Sequence, residues 1–172
     1  FNKIIVPSNF TKKKIFKYHK KLIDKRNIII QNNIISKRNL KSFNIKNFLK
    51  KHGINKNKET ILLMNISNLE SRKNFEYLAK IINQMNINYK LIKIGPIKNN
   101  EITTNKEKFI NFKNVSENNL GKLFMSSDVY IDFSEFEGFG RTVIEAQSYG
   151  LPILCLKTDS NLEIMNNTAV YL

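Results

Sequence analysis

Two glutamates, Glu137 and Glu145, sit eight positions apart around Gly138-Phe139-Gly140 and the start of a helix-forming run at Arg141-Thr142. Just before them, Val129 to Phe133 is an apolar run of strand length. Strand, glycine loop and helix start is a layout that presents free backbone N–H groups to a phosphate. Gly138 and Gly140 let the backbone approach a ligand closely, and the helix dipole favours an anion there. Glu145 falls about one turn into the helix, and side chains lean toward a helix N-terminus, so its carboxylate reaches back to the same crevice. Carboxylates suit the paired hydroxyls of a ribose, and Glu137 is placed for the other end of such a ligand. Surface charges around a tight turn are the plainer reading of the same residues. The strand and helix on either side favour the site.

A second group, Asn68-Leu69-Glu70-Ser71-Arg72-Lys73-Asn74, also follows a strand-like run, Ile61–Ile66, and precedes a helical pattern. Arg72 and Lys73 supply the positive charge a diphosphate needs; a solvated basic turn is the alternative. The chain has two histidines, His19 and His52, which argues against a His/Cys metal site. His52 followed by Gly53 fits a helix C-cap and needs no catalytic account. The single Cys155, inside Ile153-Leu154-Cys155-Leu156, reads as a buried thiol, which excludes an internal disulfide and favours a reducing compartment.

The elements that must position these residues alternate. Strands are expected at Phe1–Val6, Asn27–Ile30, Ile61–Ile66, Tyr89–Ile94, Val129–Phe133, Ile153–Leu156 and Ala169–Leu172, with a weaker segment at Phe109–Val115. Helices are expected at Thr11–Lys25, Leu40–Lys51, Asn74–Met85, Glu117–Ser126 (Ser116 as N-cap) and Thr142–Tyr149, the last closed by Gly150 and Pro152. Such alternation calls for an α/β fold, a Rossmann-like parallel sheet flanked by helices, in which ligands bind at the carboxyl ends of the strands. The glutamate loop falls at one of those ends. The polar run Asn55-Lys56-Asn57-Lys58 marks a hinge.

The 172 residues fit one domain, or one domain with part of another, and no apolar run approaches a membrane span. With no initiator Met and a strand-like run at Phe1, the chain reads as a piece excised from a longer protein. Its net charge of +15 is uneven: residues 1–60 hold 17 lysines and arginines against two acids, and residues 61–172 hold twelve of each. A basic face of this kind suits nucleic acid or an anionic membrane surface, while heavy use of Lys, Asn and Ile throughout also fits an AT-rich coding bias. The helix at Thr11–Lys25, with Ile15, Tyr18, Leu22 and Ile23 on one side and lysines on the others, could lie on a membrane or on its own protein. No recognition helix or aromatic stacking surface points to specific nucleic acid.

Taken in order, Asn68-x4-Lys73-Asn74, a strand ending at Gly95, Phe112-x2-Val115, Ser127-Asp128-Val129, Ser134-x2-Glu137-Gly-Phe-Gly, Glu145-Ala146 and Gly150-x-Pro152 resemble the C-terminal donor-binding domain of GT-B retaining glycosyltransferases, family 4 (glycosyl transferases group 1). The Glu137-x7-Glu145 spacing is that family's hallmark, and Glu163-Ile164 is similar to its later acidic step. Ile5-Val6-Pro7-Ser8 and Ile28–Asn33 look like the last strands before its interdomain crossover. The resemblance implies a domain plan of 1–35 as the tail of an N-terminal domain, 36–59 as linker helix and hinge, and 60–172 as a C-terminally truncated nucleotide-sugar domain. By the same resemblance Lys73 contacts the donor diphosphate, the backbone of Gly138, Phe139 and Gly140 holds phosphate oxygens, Glu145 binds the ribose and Glu137 the transferred sugar. Gly95 and the Phe112–Val115 loop border the base, with specificity in loops such as Gly95–Glu101. Asn68, Arg72, Arg141 and Thr142 complete the donor surface. Family members usually work without a metal or other cofactor.

Two positions depart from the family pattern. Asn68 stands where an arginine is common, so diphosphate stabilisation is expected to be weaker unless Arg72 or Arg141 swings in. Asn114 replaces a glycine, a substitution that tolerates a positive φ. The expected function is transfer of a hexose or N-acetylhexosamine from a nucleotide-sugar to a glycan or lipid acceptor, in the cytoplasm or at the inner face of the membrane, with the fragment alone inactive. A non-catalytic binding or partner domain is the competing expectation.

Overall fold

The computed structural model describes residues 3–35, 41–98 and 106–172. Two short strands, β1 (Ile4–Val6) and β2 (Ile28–Ile30), pair in parallel as a separate sheet, linked through α1 (Asn9–His19). After α2 (Ile45–Lys51) come β3 (Ile61–Ile66), α3 (Phe75–Gln84), β4 (Tyr89–Ile94), β5 (Phe109–Phe112), α4 (Glu117–Ser126), β6 (Val129–Asp132), α5 (Arg141–Ser148), β7 (Ile153–Cys155), α6 (Asp159–Met165) and β8 (Val170–Tyr171). The last six strands form one parallel sheet in the order β5-β4-β3-β6-β7-β8. The fold is the expected α/β, Rossmann-like arrangement.

Alternation along the central strands explains the two covered faces. Leu62 and Met64 pack with Phe124, Tyr130, Val143 and Ala146 on one side. Leu63, between them, points the other way and packs with Phe75, Leu78, Ile82 and Leu91. Each such Leu or Ile, removed from water, contributes about 2 kcal/mol, which seats β3 and its neighbour β4, where Leu91, Ile92 and Ile94 are buried, firmly in the sheet. The strand order carries the functional consequence. From β3 the chain moves outward through β4 and β5, then returns to place β6 on the other side of β3. Ligand crevices in parallel sheets open where the order reverses in this way, here between the carboxyl ends of β3 and β6.

Caps set several boundaries. Ser116 Oγ accepts from Asn119 N–H at the start of α4, as expected, and His52 closes α2 ahead of Gly53 at φ 72°. Asn44 caps α2 by accepting from Asn47 N–H (2.9 Å), so residues 41–44 of the expected helix are not helical; its expected first residue, Leu40, lies outside the described residues. α1 ends at His19, short of the expected Lys25. It buries no residue, so no apolar face holds a further turn, and Leu22 stays 84% exposed. Asn114 does not use a positive φ; Asn74 (52°) and Asn166 (46°) do, each closing a helical turn. Among the described residues no helix is long and apolar enough to cross a membrane.

Candidate functional site

The turn after β3 and the loop after β6 meet at the reversal point. Their backbones are tied by Glu135 N–H donating to the Arg72 carbonyl (2.8 Å). Across this seam Glu137 Oε1 accepts from both Lys73 Nζ and Arg72 Nη1 (3.0 Å), and Arg72 Nη1 also donates to the Phe136 carbonyl (3.1 Å). The side chains of Lys73 and Glu137 are each only 11% exposed, so the pair is partly withdrawn from water, where charge-assisted bonds are stronger than at the surface. The Arg72 guanidinium stacks over the exposed Phe136 ring at 5.7 Å.

Asn68 takes part in the same network as a neutral group. Its amide donates to Glu70, and Glu70 N–H donates back to Asn68 Oδ1 (3.2 Å). The Glu70 carboxylate in turn accepts from Arg72 Nε. The Asn68 and Arg72 hydrogen bonds hold the Glu70 carboxyl below its usual range. Burial works against the charge on Arg72, and the carboxylates of Glu70 and Glu137 more than offset it, so its pKa is raised. Two cations and two carboxylates therefore balance at this edge. Arg72 already occupies the crevice, anchored at both ends, whereas Arg141 is 68% exposed and only 3.8 Å from Glu145.

The β6 loop is built from backbone. Gly140 stands at φ 65° as the residue before α5 and offers no side-chain cap. The N–H groups of Gly138, Phe139, Gly140, Arg141 and Thr142 donate to no acceptor among the described residues. A row of free donors at an uncapped helix N-terminus is a ready anion seat. Glu145 projects from the first turns of α5, partly buried, with Arg141 as its weak partner. Gly95, at the end of β4 with φ 111°, takes a conformation only glycine tolerates; a Cβ there would overlap the Ser67 carbonyl oxygen. Its N–H donates to the Phe112 carbonyl (2.8 Å) and its carbonyl accepts from Asn111 Nδ2 (2.9 Å), which fixes the third strand end beside the crevice. Val115 is partly buried against the core. Residues 99–105, which include residues 99–101 of the expected specificity segment Gly95–Glu101, lie outside the described residues.

Several groups at the site were not read from sequence. Asp132, at the end of β6, is 2% exposed; its Oδ1 accepts from Ser134 N–H (2.9 Å) and Ser134 Oγ, while Oδ2 has no hydrogen-bond partner among the described residues. Burial pushes its carboxyl up from the usual range. Lys93 is 1% exposed, donates to the carbonyls of Ser67 and Ile94 (3.1 Å), and lies over the Phe75 ring at 5.1 Å. It thus grips both ends of the Asn68–Asn74 turn. A lysine inside Leu91-Ile92-Lys93-Ile94 is the sequence signal for it. At Glu163-Ile164 the sequence named the segment but predicted no helix; there α6 brings Ser160, which accepts from Glu137 N–H (3.1 Å), and Ile164, 3.2 Å from where a Gly140 Cβ would stand. Its cap, Thr158 accepting from Asn161 N–H (3.2 Å), was the available cue.

The family model for glycosyl transferases group 1 matches residues 44–170. The chain belongs to this family. No curated protein matches the sequence. Among solved structures the chain is similar to a glycosyltransferase from Rickettsia africae ESF-5 (23% identity, TM-score 0.75), with 99% of this chain aligned to 49% of that one. It is similar too to HepE of Anabaena solved with UDP-glucose (17%, TM-score 0.75, 94% of this chain and 46% of that). A third is WaaG, a glycosyltransferase involved in lipopolysaccharide biosynthesis (18%, TM-score 0.68, 92% and 45%). The chain spans about half the length of these proteins. In this group 1 glycosyltransferase domain Glu137 lies on the loop, and Glu145 on the helix, that border the reversal point.

Proposed function

We propose that this domain binds the nucleotide-sugar donor of a retaining glycosyltransferase, at the crevice between the ends of β3 and β6. The observation that carries the reading is the row of unpartnered N–H groups from Gly138 to Thr142 beside the Lys73–Glu137 pair. A diphosphate has the charge and the acceptor oxygens for both. Lys73 and Arg72 then turn from Glu137 toward phosphate, which frees the Glu137 carboxylate to accept from the hydroxyls of the sugar. Glu145 accepts from the ribose. In the transfer the bond from the anomeric carbon to the diphosphate breaks and a bond to the acceptor oxygen forms on the same face. The acceptor's proton goes to the leaving phosphate. The protein's part is positioning and stabilisation of the charge that builds on the diphosphate, supplied by Arg72, Lys73 and the α5 N-terminus, with no metal. That HepE was solved with UDP-glucose supports a uridine donor among the candidates.

The acceptor, a glycan or lipid, is assigned to a preceding domain, of which residues 1–35 are the tail and 36–59 the linker. Closure of that domain completes the site, so the 172-residue chain binds nucleotide and turns over little or nothing. The protein is placed in the cytoplasm, with the basic residues 1–60 resting on the anionic inner face of the membrane. The non-catalytic alternative draws on Asn68, whose neutral side chain leaves the crevice charge-balanced. Thermal shift of the domain with UDP, GDP and ADP at millimolar concentration tests donor binding. A ligand at a hundred times its Kd stabilises by about 2.7 kcal/mol, so a rise of several degrees is expected for one nucleotide. No rise with any of the three refutes the donor reading.

A further inference from the structure

The glycine loop is held from a direction that the donor reading does not use. Ser8, 2% exposed, caps α1 by accepting from Thr11 N–H (3.1 Å), and its hydroxyl donates to the carbonyl of Gly138 (2.5 Å). The Thr11 hydroxyl reaches the same oxygen (3.2 Å). One residue on from Ser8, Asn9 N–H donates to Glu163 Oε1, and Phe10 N–H to Glu163 Oε2, each at 2.6 Å. The Glu163 carboxylate thus takes two of the orphan donors of α1 with one oxygen each, where the helix dipole also favours a negative charge. Glu163 belongs to α6, the helix whose Ser160 holds Glu137 and whose Ile164 packs on Gly140. The contacts close a circuit: α6 to α1, α1 to Gly138, and the loop back to α6.

Two facts give this circuit a consequence. First, α1 has no fully buried residue, and at its first turn Ser8 and Thr11 are held by the polar contacts just described. Second, no peptide bond described is cis. In a trans peptide the carbonyl of Gly138 and the N–H of Phe139 point in opposite directions. Fixing one fixes the other, and glycine offers no steric preference of its own to do so.

We infer that Glu163 is a positioning residue for the donor loop: through the first turn of α1 it anchors the Gly138 carbonyl and so sets the direction of the N–H row offered to the diphosphate. The inference rests on the donor reading for its functional meaning and on the hydrogen bonds alone for its structural one. The experiment separates the two. In the full 172-residue chain, Glu163→Gln keeps a single acceptor and loses the charge. The backbone order parameter at Phe139 is expected to fall from the rigid value of about 0.85 toward 0.6, and the Gly138 carbonyl carbon resonance to move, with the fold intact by its remaining spectrum. Unchanged values at both residues overturn the inference whether or not any nucleotide binds. By titration calorimetry UDP is expected to bind Glu163→Gln about five- to tenfold more weakly than the parent. Ser8→Ala should match it, and the double variant should be no weaker than the weaker single one, since both act on one carbonyl. Full additivity, or UDP binding unaffected by Glu163→Gln, also overturns the assignment. A parent chain that binds none of UDP, GDP and ADP removes the donor reading instead, and the spectra then decide the role of Glu163 in the loop.

Discussion

The two walls of the crevice are made on different principles. After β3, the turn is a side-chain network in which Asn68, Glu70, Arg72 and Lys73 hold one another and Glu137. After β6, the loop is a backbone surface whose donors are peptide N–H groups and whose shape depends on Gly140 at φ 65°. The side-chain wall tolerates exchange: Asn68 stands in a network that Arg72 completes. The backbone wall has no substitute for its residues, since a donor row disappears once the chain changes direction. If the crevice holds the proposed diphosphate, the charges of one wall are exchangeable while the glycine loop of the other is not.

The largest effect is expected where the backbone wall is broken. Gly140→Val forces a β-branched side chain into left-handed φ with Ile164 only 3.2 Å from its Cβ. The strain costs about 2 kcal/mol, and because α5 then starts in another direction, nucleotide-induced stabilisation should vanish. Urea unfolding and thermal shift with UDP read the two effects. Normal UDP binding by this variant breaks the comparison outright.

A smaller and more selective loss is expected at the other wall. Lys73→Met removes one cation from Glu137 but leaves Arg72 in place. UDP affinity should fall about tenfold, or about 1.4 kcal/mol, while uridine, which carries no phosphate, should bind as before. Equal losses for UDP and uridine would mean that Lys73 shapes the pocket rather than meeting the diphosphate.

These walls were unequally legible in the sequence. The strands Ile61–Ile66 and Tyr89–Ile94 and the helix Glu117–Ser126 begin and end where the apolar runs and Ser116 put them, because burial on both faces and a local cap leave little else to decide. The glycine loop, too, could be read from residue types within a dozen positions. The pairing of Lys73 with Glu137 could not, since it joins residues 64 apart through the strand order. Nor could the role of α6, a helix of seven residues with only its Thr158 cap as a cue, since that role comes from what it touches. The end of α1 falls short of its apolar spacing for the converse reason: the spacing is real, but no residue of the helix is fully buried and Leu22 beyond it stays exposed.

The smallest expected effect sharpens the contrast by testing charge beneath the backbone wall. Asp132 supports the loop through Ser134, and burial holds its pKa above the ordinary 3.8. A raised carboxyl pKa means that the folded state keeps its proton more tightly than the unfolded chain. Its contribution to stability is therefore complete at low pH and is lost as pH rises through the folded value. Asp132→Asn preserves an acceptor for Ser134 and escapes that loss. The variant should unfold near the parent's temperature at pH 4 and a few degrees above it at pH 8, with UDP affinity unchanged throughout. A gain that shrinks with rising pH contradicts the sign. A fall in UDP affinity without loss of stability shows instead that the β6 wall depends on a charge as well as on its backbone.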